Sequence, residues 1–101
     1  MISEEEYVRR VMQKTARDLI QTLLRTKEYS ARFLSRVDVN SIDKAVEKMS
    51  IDVVDEFVRA LRSRGYLGTG RMASQTEFQS LFETTVKDYM NKLGKDKNSA
   101  G

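Results

Sequence analysis

Apolar residues recur every three or four positions through most of this chain, and that spacing limits what it can fold into. Side chains at this interval share one face of an α-helix. No segment shows the apolar–polar alternation that is typical of a half-buried β-strand. The sequence therefore predicts an all-α fold, a small bundle of four to five helices.

The first predicted helix is long. Ser3 and Glu6 form a capping box, in which the serine hydroxyl accepts from the amide of Glu6 and the carboxylate reaches back to the amide of Ser3. We predict a helix from residue 3 to about residue 36. A kink or break near 26–30 is favoured, because the apolar pattern loosens there and an unbroken helix would be about 50 Å long. Its apolar stripe comprises Val8, Met12, Ala16, Leu19, Ile20 and Leu23.

Three further helices are predicted in the rest of the chain. A short helix follows the turn at 38–41, and Ser50 caps a second helix over 51–64, which Gly65 ends. Another capping box at 74–77 opens the last helix, which ends at Gly94. Residues 1–94 are thus predicted to form a single helical domain, and 95–101 a disordered polar tail. Expected core residues are Leu23, Phe57, Leu61 and Phe82.

The amino-acid composition limits the kinds of protein to which this chain can belong. Hydrophobic residues make up 40% of the chain and charged residues 33%, which is lean in apolar and rich in charged residues. Such a chain often completes its core by self-association or by docking on a partner. No apolar run approaches the roughly 18 residues that span a bilayer, and the acidic N-terminus is unlike a secretory signal. We expect a soluble intracellular protein without membrane contact.

The chain contains no histidine and no cysteine. Their absence excludes hydrolase triads that use either residue, thiol redox chemistry, and haem ligation by His or Cys. Zinc sites are excluded on the same ground, and no calcium-loop spacing is present. The sequence therefore predicts a non-enzymatic protein with no catalytic, cofactor-binding or metal-binding site and no small-molecule substrate.

Positive charge is concentrated in the first long segment. Residues 7–37 contain eight basic residues against Asp18 and Glu28, whereas 38–101 is balanced. At 100° per residue five of the eight basic side chains fall within roughly an 80° arc opposite the apolar stripe, where they could follow a phosphate backbone. A solvated face of an ordinary helix is the alternative interpretation. The candidate phosphate-contacting residues of this face are Arg10, Lys14, Arg17, Arg25 and Arg32.

Residues 41–67 form a second candidate nucleic-acid site. Two helices joined at Met49-Ser50 and followed by a basic stretch resemble a helix-turn-helix with a wing, and a plain helical hairpin is the alternative. Tyr66, beside a glycine and near basic residues, is the best candidate for base stacking. The candidate residues of this second site are Arg59, Arg62, Arg64 and Tyr66, and Arg71, just beyond it in sequence and near Tyr66, is a further candidate.

Two functions remain from the sequence. The first is a nucleic-acid-binding protein or nucleoprotein-assembly subunit that uses basic helix faces. The second is a protein–protein adaptor or structural subunit, with a protein partner or a second copy completing its core.

Overall fold

The fold is built from helices alone in the part of the chain that the structure, a computed structural model, describes: residues 2–34 and 39–100. No strand occurs in these two ranges, which confirms the predicted all-α class and small bundle. A 3-10 turn at Val39–Ser41 precedes the third helix. The α-helices are α1 at Glu4–Leu23, α2 at Lys27–Leu34, α3 at Ile42–Ser63 and α4 at Gln75–Ala100.

The predicted break in the first long helix is confirmed. Ser3 caps α1 by accepting the amide of Glu6 at 3.1 Å, and α1 ends at Leu23. The chain then turns at 24–26, and Thr26 accepts the amide of Tyr29 at 3.4 Å as α2 begins. The two predicted segments are therefore separate helices. The expected helix end near residue 36 lies outside the described residues.

The predicted division of residues 41–64 into two helices is wrong, because α3 is continuous from Ile42 to Ser63. Ser50, the predicted cap between them, is buried, and its hydroxyl donates to the carbonyl of Glu47 at 2.7 Å. This local bond satisfies the hydroxyl without interrupting the helix. The structure therefore has no helix-turn-helix at Met49-Ser50. Gly65, with φ +87°, follows α3 as the predicted stop.

The start of α4 agrees with the sequence and its end does not. Ser74 accepts the amide of Glu77 at 3.1 Å, which is the first half of the predicted capping box. The helix then continues through Gly94 to Ala100, although Gly94 was predicted to end it. A glycine inside a helix costs only about 1 kcal/mol, and no proline follows to enforce a stop. The domain boundary at residue 94 stays a prediction.

The core lies where α1 and α4 pack against α3. Gln13 bonds Glu47 at 2.8 Å while Arg9 pairs with Asp55, so α1 and α3 run antiparallel. Phe57 of α3 is fully buried and meets Phe78 and Phe82 of α4 edge-on, with ring centroids 5.0 and 5.1 Å apart.

The predicted core residues lie in or against this core. Phe57, Leu61 and Phe82 are buried, and Leu23 packs against the core from a partly buried position.

α1 packs mainly on α3 and touches α4 only marginally. The eight-residue α2 packs on the far end of α4, where the Tyr29 hydroxyl donates to Asn91 at 3.2 Å. None of the described helices is long and apolar enough to cross a membrane.

Candidate functional site

The predicted basic stripe of the first segment is divided by the break after α1: Arg10, Lys14 and Arg17 lie on α1, Arg25 in the turn after it and Arg32 on α2. Arg17 turns toward α3, and its Nε lies 3.6 Å from a carboxylate oxygen of Glu47. Arg10 is exposed and pairs with Glu6 at 3.1 Å on its own helix. These carboxylates partly neutralise the two guanidinium groups that were expected to contact phosphates.

Arg32 is separated from the stripe because α2 does not continue the axis of α1. Its guanidinium lies 3.5 Å from a carboxylate oxygen of Glu28 and 5.8 Å from the centre of the Tyr29 ring. It also donates to Asn91 of α4 at 3.5 Å. Arg32 therefore contributes to the contact between α2 and α4.

An ion-pair network joins the start of α1 to the C-terminal half of α3. Glu5 pairs with Arg9 at 3.2 Å and also with Arg62. Arg9 pairs in turn with Asp55, and the hydrogen bond to Asp55 is the largest cause of its raised pKa. Arg62 thus holds two helices together, which was not expected of a residue predicted to bind nucleic acid.

The predicted stacking residue Tyr66 lies in the loop after α3, where it belongs to a cluster of polar side chains. Its hydroxyl donates to Glu77 at 2.6 Å, and this hydrogen bond raises the pKa of Tyr66 above its usual range. Arg71 covers the ring, with its guanidinium carbon 5.3 Å from the ring centre. Arg64 lies 3.9 Å from the other oxygen of Glu77. The hydroxyl and one face of Tyr66 are therefore already occupied.

Three predicted contact residues are exposed and form no ion pair, side-chain hydrogen bond or ring contact with any residue in 2–34 or 39–100: Lys14, Arg25 and Arg59. Lys14 and Arg25 lie on or just after α1, whereas Arg59 is on α3. The cations available to an external anion are therefore few and belong to different elements.

Sequence reasoning missed an apolar groove between α1 and α4. It consists of two cavities of about 480 and 520 Å³, and the ring of Phe78 lines both. The first cavity lies between the N-terminal turns of α1 and the loop after α3. The second continues between α1 and α4 and has Met12, Leu19 and Phe82 in its walls.

The α1 side of this groove is a continuous helix face. The α1 residues that line the cavities run from Glu4 to Thr22 at intervals of one, three and four positions. Tyr7 is 60% exposed, and Val11, one turn further on the same face, is 48% exposed. Met72, from the loop on the other side, is 89% exposed.

The sequence contained a partial signal for this groove. The apolar stripe identified in α1 included Val8, Met12 and Leu19, which lie at the groove. Ala16 and Ile20 of that stripe are buried in the core. Tyr7 and Val11 are apolar but exposed, so the apolar surface of α1 is wider than the part that the core covers. A helix whose apolar arc is wider than its buried arc has surface left for a second neighbour.

Neither the groove nor the basic residues form a metal centre. Within the described ranges there is no group of three or more acidic side chains placed to hold a metal ion.

Comparisons with protein-family models, with curated proteins and with solved structures find no match to this chain.

Proposed function

We propose that this protein is a non-enzymatic interaction module that docks an amphipathic helix of a partner protein in the groove between α1 and α4. The observation that carries the proposal is the pair of cavities along α1. Tyr7 and Val8 line the first together with Phe78, and Met12 and Leu19 line the second together with Phe78 and Phe82. Docking an amphipathic helix in an apolar groove is a common mode of peptide recognition. The docked helix would complete a core that the chain's own helices leave open on this side.

The dimensions of the groove suit a helix. The lining of α1 extends over 19 residues from Glu4 to Thr22, which corresponds to about 27 Å along the helix axis. A partner helix of about 18 residues would match that length. The short helix α2 packs against α4 near Asn91, and none of its described side chains lines either cavity.

Internal ion pairs make nucleic-acid binding the weaker of the two functions. Arg10, Arg17 and Arg32 on the first segment each have a carboxylate partner within 4 Å. Arg62 and Arg64 are paired as well. Phosphate binding would have to compete with these contacts, whereas docking in the groove displaces no ion pair.

A matched pair of substitutions tests the docking proposal. Val11 is 48% exposed on α1, one turn from the groove residue Tyr7, and Ile51 is 45% exposed on α3. Val11→Asp should weaken binding of an amphipathic model helix with glutamine flanks by roughly tenfold, because a charge would face its apolar side. Ile51→Asp should leave the affinity unchanged.

Binding would be measured by calorimetry on the full chain, with helicity and melting temperature as controls for folding. Equal affinities for both variants, or no binding to the wild type, would rule out this groove.

Nucleic-acid binding stays the second candidate because Lys14 and Arg25 are exposed and form no ion pair with a described residue. Replacing both with glutamate should abolish binding to generic duplex or single strands, since phosphate contacts dominate such affinity. The comparison variant is Arg59→Glu on α3. A wild-type protein without salt-sensitive binding to DNA or RNA would eliminate this candidate.

A further inference from the structure

The charged residues around the groove are mostly acidic. The walls of the two cavities contain three carboxylates, Glu4, Asp18 and Glu83, and a single guanidinium, Arg71. None of the three carboxylates has an ion-pair partner within the described part of the chain. The side chain of Glu83 accepts one hydrogen bond, from Gln79 at 3.3 Å.

The one cation of the walls already has partners. The guanidinium of Arg71 lies over the ring of Tyr66 and donates to the carbonyl of Arg64 at 3.5 Å. Lys14 and Lys87 lie one turn from Asp18 and Glu83, outside the cavity walls, and form no ion pair with them. The groove therefore has an apolar floor and edges whose carboxylates lack cationic partners.

We propose that the partner helix is basic: its apolar face is flanked by lysine or arginine side chains that meet Glu4, Asp18 and Glu83. This inference rests on the proposed docking function and adds the chemistry of the partner. Long basic side chains suit the role, since their alkyl stems lie along apolar surface while their charged ends reach a carboxylate. Each exposed pair of this kind changes affinity by roughly 1.5- to 5-fold.

The net charge of the chain distinguishes the proposed preference for a basic helix from nonspecific electrostatic attraction. The whole chain carries +3, so nonspecific electrostatics would favour an acidic peptide. A preference for a basic peptide would have to come from local charges.

The test uses three model helices of about 18 residues that share one apolar face and differ only in their flanks, which are lysine, glutamine or glutamate. At about 0.05 M salt, the lysine peptide should bind the full chain roughly tenfold tighter than the glutamate peptide, with the glutamine peptide between them. At about 0.5 M salt, the three affinities should converge.

Replacing carboxylates with amides of the same shape shows which residues cause the preference for the lysine peptide. Asp18→Asn combined with Glu83→Gln should remove most of it. Asp43→Asn combined with Asp88→Asn changes the charge equally at exposed positions outside the groove and should leave it intact. A preference that survives the first pair of substitutions would overturn the assignment to this groove.

The two proposals fail in different ways. If the glutamine peptide binds and the lysine and glutamate peptides bind equally well, the basic partner is wrong and the docking function stands. If the glutamate peptide binds best, the partner chemistry is reversed. If none of the three peptides binds, the docking function itself fails.

Discussion

Tyr89 links the stability of the fold to pH through one side chain. Its hydroxyl donates to Asp52 across the contact between α4 and α3 at 3.0 Å. Burial, followed by this hydrogen bond, raises the pKa of Tyr89 above its usual value. A group whose pKa is higher in the folded chain stabilises it fully below the unfolded pKa, and that contribution is lost as the pH rises.

Tyr89→Phe should therefore flatten the alkaline loss of stability. Above about pH 10, the unfolded wild type ionises at this tyrosine while the folded protein resists, which costs up to about 1.4 kcal/mol per pH unit. The variant lacks this contribution, whereas the other titrating groups are common to both proteins. Urea unfolding at about pH 8 and pH 11 measures the difference. Parallel losses in the two proteins would contradict the assigned pKa.

Phe57 is the second residue whose environment gives a definite expectation. It is fully buried between two rings of α4, so Phe57→Ala should reduce the free energy of unfolding by about 3–5 kcal/mol. Tyr7→Ala, at a 60% exposed position, should cost less than about 1 kcal/mol. Denaturant unfolding compares the two. A small loss for Phe57→Ala would mean that the contact between α3 and α4 is loose in solution.

At the scale of the helices, two serines that the sequence predicted as helix caps have different roles. Ser3 precedes α1 and accepts the amide of Glu6, which is a helix cap. Ser50 lies within α3, and its hydroxyl donates back to Glu47. Glu6, three positions after Ser3, completes a capping box, whereas Val53 stands at that place after Ser50; the helix start at Ser50 was predicted from the serine alone.

Alanine substitution separates the two roles. Ser3→Ala should cost about 1 kcal/mol because the amide of Glu6 loses its acceptor. Ser50→Ala should change stability by no more than about 0.5 kcal/mol, because alanine suits a helix interior and the lost bond is local. Thermal unfolding of both variants provides the measurement. A cost of about 1 kcal/mol at Ser50 would instead support the two-helix interpretation of residues 41–64.

At the scale of the whole molecule, the sequence predicted what local spacing controls. Residues within a few positions of one another determine the all-α fold class, the break after α1 and the capped starts of α1 and α4. The ion pairs do not, since Arg17 and Glu47 are 30 positions apart and meet only because α1 and α3 run antiparallel. The groove depends on the same placement of helices. The sequence alone therefore could not show whether Val11 lies beside a groove or on an ordinary solvent-facing surface.

The central claim is that the groove between α1 and α4 holds a helix, and a methyl-resolved NMR titration tests it most directly. The full chain, labelled at its valine and leucine methyl groups, would be titrated with the lysine-flanked model helix. We predict saturable shifts at Val8, Val11 and Leu19, with Val46 and Val58, buried in α3, unaffected. Shifts confined to the α3 valines, or no saturable shift at the groove, would contradict the account.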